Sequence, residues 1–243
     1  MRFRISLFIL AILGVFVMSD NSAQEQTKGS RFHLQNFVNN HKEEFSGYIT
    51  SSSSSLLLFS LSNIEWISPI KETNNIEYQD DFLEKLEFGK YNDKLRKYWP
   101  RKGPVWDGLG LVSNEKGKGI VLVEAKAHTS ETFSDMKAKA PDSIERIEKT
   151  FSEAKKFYKV SVKSDWTKER YQLANRISFL YLLNEKLEIP TWLVFVNFTE
   201  DNSNISTTKS KFIEHYQNEL KELGLNEDSP LIDRIIILYI KSK

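Results

Sequence analysis

The chain of 243 residues contains no cysteine. That absence excludes a disulfide framework, a thiolate zinc site, a cysteine nucleophile and lipid attachment through an N-terminal cysteine, and it leaves the redox state of the compartment open. Charge of one sign is lacking too: the formal balance is +1, and without Arg2, Arg4 and Asp20 of the first 23 residues it is zero. Any contact with nucleic acid must therefore rest on a local basic patch rather than on the overall field. No internal repeat is visible, which argues against a solenoid. The uncharged apolar stretch at residues 5–18 is fourteen residues long, short of the ~20 that a membrane-spanning helix needs.

Arg2 and Arg4 before that stretch, and the polar run Ser19-Asp20-Asn21-Ser22-Ala23 after it, give residues 1–23 the layout of an export signal. The cleavage site is not sharp, because Asn21 is not small and Val17 with Ser19 makes a weaker pair. Cleaved, the segment implies a periplasmic or secreted protein, and uncleaved a membrane anchor. A misplaced start codon or a buried helix would imply a cytoplasmic protein without stable membrane insertion. Residues 24–63 read as an N-terminal extension without clear periodicity. In it five serines at 51–55, followed by Leu56-Leu57-Leu58-Phe59, suggest flexible chain running into a short buried segment. Residues 64–243 read as the main domain. A composition of 40% hydrophobic and 28% charged residues supports one well-buried core and demands no second.

Within that domain Ile76, Tyr78, Phe82, Leu83, Leu86 and Phe88 fall largely at helical spacing, which predicts an amphipathic helix over 75–88 ended by Gly89. Residues 105–112 have β character, with glycines that mark close backbone approach, and 113–119 form a hairpin turn. Ile120-Val121-Leu122-Val123-Glu124-Ala125-Lys126 reads as a buried central strand that ends abruptly in charge. Helices are expected from Asp142 or Ser143 to about Tyr158, from about Thr167 to Lys186, and over 208–223 up to Gly224. Strands are expected over 191–198 and 232–240. Antiparallel strands first and βα alternation later define an α/β protein with a mixed sheet flanked by helices.

Chemistry concentrates where two strands end. Asp107 lies in one strand, and Glu124 and Lys126 close the next, so a tight turn brings both carboxylates to one edge. Alternation along the strand points Glu124 and Lys126 to the same face and Ala125 away, leaving the Ala125 backbone carbonyl free to ligate an ion. Two carboxylates and a carbonyl suit Mg²⁺ or Mn²⁺, with Lys126 positioning water or steadying negative charge, for phosphodiester hydrolysis. The plainer reading is a strand that ends in Glu-Ala-Lys because solvent begins there, with Asp107 in a turn beside Gly108. Gln172, Asn175 and Arg176 form a polar ladder in a helix otherwise apolar almost all round. If buried they need partners, supplied either by a site or by an acidic residue and nearby backbone. His128, just past the strand, is either a supporting or proton-transfer group or incidental, and His33, His41 and His215 have no evident partners. Arg101 and Lys102, beside Trp99 and Trp106, read either as a nucleic-acid contact with a stacking surface or as a solvated loop over two core tryptophans. The lysines of 137–159 are balanced by Glu145, Glu148 and Glu153, as on a solvated face.

Three segments together, Trp99-Pro100-Arg101-Lys102-Gly103-Pro104-Val105-Trp106-Asp107, Val123-Glu124-Ala125-Lys126-Ala127-His128 and Tyr171-Gln172-Leu173-Ala174-Asn175-Arg176, carry a resemblance. Trp66-Ile67-Ser68-Pro69, Glu77-Tyr78-Gln79-Asp80 and Pro190-Thr191-Trp192-Leu193-Val194-Phe195 fit the same pattern. The chain resembles, over about residues 64–240, a bacterial family of largely uncharacterised proteins that are themselves similar to PD-(D/E)XK nucleases. The resemblance implies a restriction-endonuclease-like three-layer core. It also implies Asp107 and Glu124 as metal ligands, Lys126 as the catalytic lysine, Glu77 as an additional acid from the first helix, and Gln172 and Arg176 as supporting residues. The expected activity is Mg²⁺-dependent (or Mn²⁺-dependent) cleavage of nucleic acid. The other class is a non-catalytic exported binding protein on the same scaffold, since a fold does not determine a function.

Overall fold

Among the described residues, five strands make one sheet in the computed structural model, which describes residues 27–60, 63–161, 163–203 and 205–242. They are β1 (Glu65–Ser68), β2 (Gly108–Asn114), β3 (Gly117–Lys126), β4 (Thr191–Thr199) and β5 (Ile235–Lys241), lying side by side in that order. β1, β2 and β3 run antiparallel, while β3, β4 and β5 run parallel, so direction changes at β3. The β2–β3 turn closes because Asn114 Oδ1 accepts from the N–H groups of Lys116 and Gly117 at 2.8 and 3.0 Å. Gly110 answers a different demand. A Cβ there would lie 2.4 Å from Ile64 Cγ2, so the chain entering β1 rests against bare backbone.

The helices are α1 (Gly29–Asn40), α2 (Lys42–Ser51) and α3 (Ser54–Phe59) before the sheet, and α4 (Phe82–Lys85) and α5 (Asn92–Arg96) between β1 and β2. α6 (Pro141–Phe157) and α7 (Tyr171–Tyr181) join β3 to β4, and α8 (Lys209–Leu223) joins β4 to β5. Alternation along β3 and β4 explains why both read as unbroken apolar runs. Ile120, Leu122, Leu193 and Phe195 enter the core shared with α6, α7 and α8. Val121, Val123, Ala125, Trp192, Val194 and Val196 enter a second core closed by α1, α2 and α3. Strands buried on both faces have no polar side to show. The architecture is α/β, a mixed open sheet with helices on both faces.

Four expectations are corrected. The run at 51–55 is not flexible chain: the extension that holds it is helical, and its Leu34, Phe37, Val38, Phe45, Ile49 and Leu56 on α1–α3 are all buried against the sheet. Its serine run is a capping device: the Ser53 hydroxyl accepts from Leu56 N–H, and the Asp233 carboxylate gathers the N–H groups of Ser54 and Ser55. The helix expected over 75–88 shrinks to α4, because Tyr78 pairs instead with Trp106, whose N–H donates to the Tyr78 carbonyl at 2.9 Å. Tertiary pairing there overrides apolar spacing. In addition, β2 begins at Gly108, so Asp107 stands just before the strand rather than within it. The second predicted helix starts later, at Tyr171, and runs on through a π turn at Leu182–Lys186. The export segment, residues 1–23, lies outside the described residues. Among the described residues no helix is long and apolar enough to cross a membrane.

Candidate functional site

The site sits at the carboxyl end of β3, the strand at which the sheet changes direction, where open α/β sheets tend to place their ligands. Glu124 and Lys126 are buried there, 2% and 6% exposed, on the side of the sheet that α7 covers. The last β2–β3 pair is Gly108 with Val123, so Asp107 falls one step beyond it, opposite Glu124. The Ala125 N–H donates to Asp107 Oδ2 at 2.7 Å. In an extended strand a residue's N–H and C=O point to the same edge, so the Ala125 carbonyl is directed toward the Asp107 side as well.

Glu124 is the hub. Its Oε1 accepts from the Lys126 ammonium and from Gln172 Nε2 at 2.8 Å, and its Oε2 accepts from Arg176 Nε at 2.7 Å. Gln172 and Arg176 are four residues apart on α7 and so share a face. Arg176 also donates to the Val105 carbonyl at 2.9 Å and lies 5.0 Å from the Trp106 ring centroid, which ties the approach to Asp107 to the same helix. Asn175 accepts from Arg176 and donates to the Tyr171 hydroxyl. The two readings of the polar ladder merge: Arg176 does pair with an acidic residue, and that residue is Glu124.

The two carboxylates differ sharply. Loss of water around Asp107, followed by the charge of Glu124, pushes its carboxyl from 3.8 up to about 7, against the pull of Lys126 and of the Ala125 N–H. Burial opposes ionisation of Glu124 as well, yet Arg176 and then Lys126 outweigh it and hold the carboxyl below its usual range. Burial also works against the Lys126 ammonium, but Glu124 and then Asp107 outweigh it and keep the lysine firmly protonated. At rest the centre therefore holds one firm anion, two firm cations and one carboxyl poised near neutrality.

The other predicted residues fall into place unevenly. Glu77 is not on a helix. The pairing of Tyr78 with Trp106 sets it opposite Asp107, whose carboxyl its charge also raises, and its own carboxylate is bound by Arg31 of α1. His128 serves the local backbone. Its Nδ1 accepts from Ser130 N–H at 3.1 Å, while Glu131 accepts from the N–H groups of Ala127 and His128, a reciprocal cap on the turn Thr129–Thr132. Arg101 and Lys102 are exposed on a loop whose Lys102 and Gly103 N–H groups are held by Asp80. Trp99 and Trp106 are 1% and 0% exposed and pack edge-on against Phe179, so neither is open for a base to stack on. The histidines without evident partners find them: His33 lies 3.1 Å from Asp201, His41 3.7 Å from Glu44, and His215 2.8 Å from the Thr132 hydroxyl. Sequence reasoning passed over Arg31, Glu131 and Tyr216. The last is a buried α8 phenol that burial, and then the charge of Glu124, holds far above its ordinary pKa.

Among the described residues no group of three His, Cys, Asp or Glu side chains is close enough together to hold a metal ion. The oxygen groups at this strand end are the Asp107 and Glu124 carboxylates, on opposed residues, and the Ala125 carbonyl directed to the same edge. They are hard donors, and the repulsion that raises Asp107 is what a divalent cation relieves, so the set fits Mg²⁺ or Mn²⁺ chemically. No protein-family model, curated protein or solved structure matches this chain.

Proposed function

We propose that the protein is a Mg²⁺- or Mn²⁺-dependent hydrolase of nucleic acid phosphodiesters, built on a PD-(D/E)XK-type, restriction-endonuclease-like core. The observation that carries the reading is Glu124, opposite Asp107 and shared by Lys126 of β3 with Gln172 and Arg176 of α7. The succession of an antiparallel three-strand meander, a helical crossover and a parallel strand supports it. Asp107, Glu124 and the Ala125 carbonyl would hold the ion, which supplies Lewis acidity toward a phosphate oxygen. Lys126 is kept protonated by its two acidic neighbours, so its part is that of a cation that steadies developing negative charge or orients water, not of a base. Gln172 and Arg176 position Glu124 rather than touch the substrate.

A second reading, a non-catalytic exported binding protein on the same scaffold, draws support from one observation: three donors already satisfy Glu124 without any ion. Calorimetry with Mn²⁺ and Mg²⁺ separates the two. The nuclease reading expects binding by the wild type, lost in Asp107→Asn, together with metal-dependent cleavage of DNA or RNA. A wild type that binds neither ion and cleaves neither polymer would leave the binding protein in possession of the fold.

A further inference from the structure

Helix α1 belongs to the N-terminal extension, outside the span that resembles the nucleases, yet its first turn rests on the rim of the site. On one side Arg31 binds the Glu77 carboxylate, and on the other the Ser30 hydroxyl donates to Glu131 at 3.2 Å, the residue that caps the chain leaving β3. The two partners of the Arg31 ion pair are unequal: the Arg31 side chain is 50% exposed and that of Glu77 only 10%. The guanidinium thus binds a mostly covered carboxylate opposite Asp107 through one nitrogen, while half of the Arg31 side chain stays exposed. A planar guanidinium fork suits a phosphate better than a lysine would, because it can grip two oxygens at once.

We propose that Arg31 is a substrate-binding residue of this site, contributed by α1, which takes a phosphate of the incoming nucleic acid and for which Glu77 is the resting partner. The inference rests on the nuclease reading. In the free protein the Arg31 pair neutralises Glu77, which the Tyr78–Trp106 pairing sets opposite Asp107. When the guanidinium turns to a phosphate, Glu77 is released next to the carboxylates that would hold the ion. Substrate binding and completion of the acidic set are thereby coupled through one side chain.

The test uses the full chain and its Arg31→Ala and Arg31→Lys variants, with a fluorescein-labelled single-stranded oligonucleotide followed by anisotropy in EDTA over a range of salt. Loss of one charged contact should weaken binding about tenfold and lower the slope of log affinity against log salt by about 0.7. Arg31→Lys should recover the slope while staying weaker than wild type. Mn²⁺ calorimetry without oligonucleotide should show equal or tighter binding in Arg31→Ala, because Glu77 is freed. A purely structural role would lower the melting temperature and leave the salt slope alone, and that result overturns the proposal. If the wild type binds oligonucleotide and Mn²⁺ but Arg31→Ala has an unchanged slope, this inference fails and the nuclease reading stands. If the wild type binds neither, both fail.

Discussion

Replacing Asp107 by Asn should stabilise the metal-free protein, and the gain should grow with pH. The Asn side chain keeps the shape and can still accept from the Ala125 N–H, but it cannot ionise beside Glu124. In the folded chain the Asp107 carboxyl titrates at about 7 against 3.8 in its ordinary state. A carboxyl raised in this way contributes its full stability only in acid. The contribution is lost as pH climbs from about 4 through about 7, because the unfolded chain gives up the proton first. A rise of about three pH units corresponds to about 4 kcal/mol. The residue is only half-buried, which reduces the figure to about 2 kcal/mol. For a domain of this size that is roughly 4–8 °C in melting temperature. Urea or thermal unfolding in EDTA at several pH values between about 4.5 and 8 would measure it. Wild type and variant should converge in acid and draw apart as pH rises from about 4 to about 7, with the full gap above neutrality. Glu124→Gln should move the other way by about 3–5 kcal/mol, since it strands two buried cations. An Asp107→Asn protein that is no more stable at pH about 8, or whose difference from wild type ignores pH, would refute the assignment of strain to this carboxylate.

Three further outcomes are expected. Removing residues 1–63 strips six large buried side chains from the second core, each worth about 1.5–3 kcal/mol. The remainder should lack a cooperative melt by circular dichroism, and a soluble, cooperatively folding fragment would contradict the two-faced core. Gly110→Ala should cost about 1–3 kcal/mol in urea denaturation, because the new methyl meets Ile64. Lys126→Met should abolish cleavage while retaining Mn²⁺ binding by calorimetry, and retained cleavage would remove the lysine from the chemistry.

What was legible beforehand follows from periodicity. The β-branched run before Glu124 and the two-residue spacing to Lys126 gave the strand, its burial and the shared face of both charges, and the i, i+4 spacing of Gln172 and Arg176 gave their common side of α7. Contacts distant in sequence were not legible. Arg31 and Glu77 lie 46 residues apart, and nothing local marks either for the other. Leu34, Phe37 and Val38 do carry a helical spacing on α1, but the carboxamides Gln35, Asn36, Asn39 and Asn40 around them dilute it, and the serine run resembles a linker until Asp233 is seen to cap it. At 75–88 the apolar pattern was real, since Phe82, Leu83 and Leu86 are buried. Only the backbone of Tyr78 had a better partner than its own helix.

The contrast between a carboxylate bound by donors from two elements and one held by a backbone N–H also sets the order in which a lineage could shed them. Exchanging Glu124 alone strands Lys126 and Arg176, so drift must change several positions together to lose it. Asp107 can be lost in one step, and by the prediction above that step should favour folding. Under the nuclease reading proposed above, descendants that had given up the chemistry would therefore keep the Glu124–Arg176 pair and show a neutral residue at 107, where this chain carries an acid.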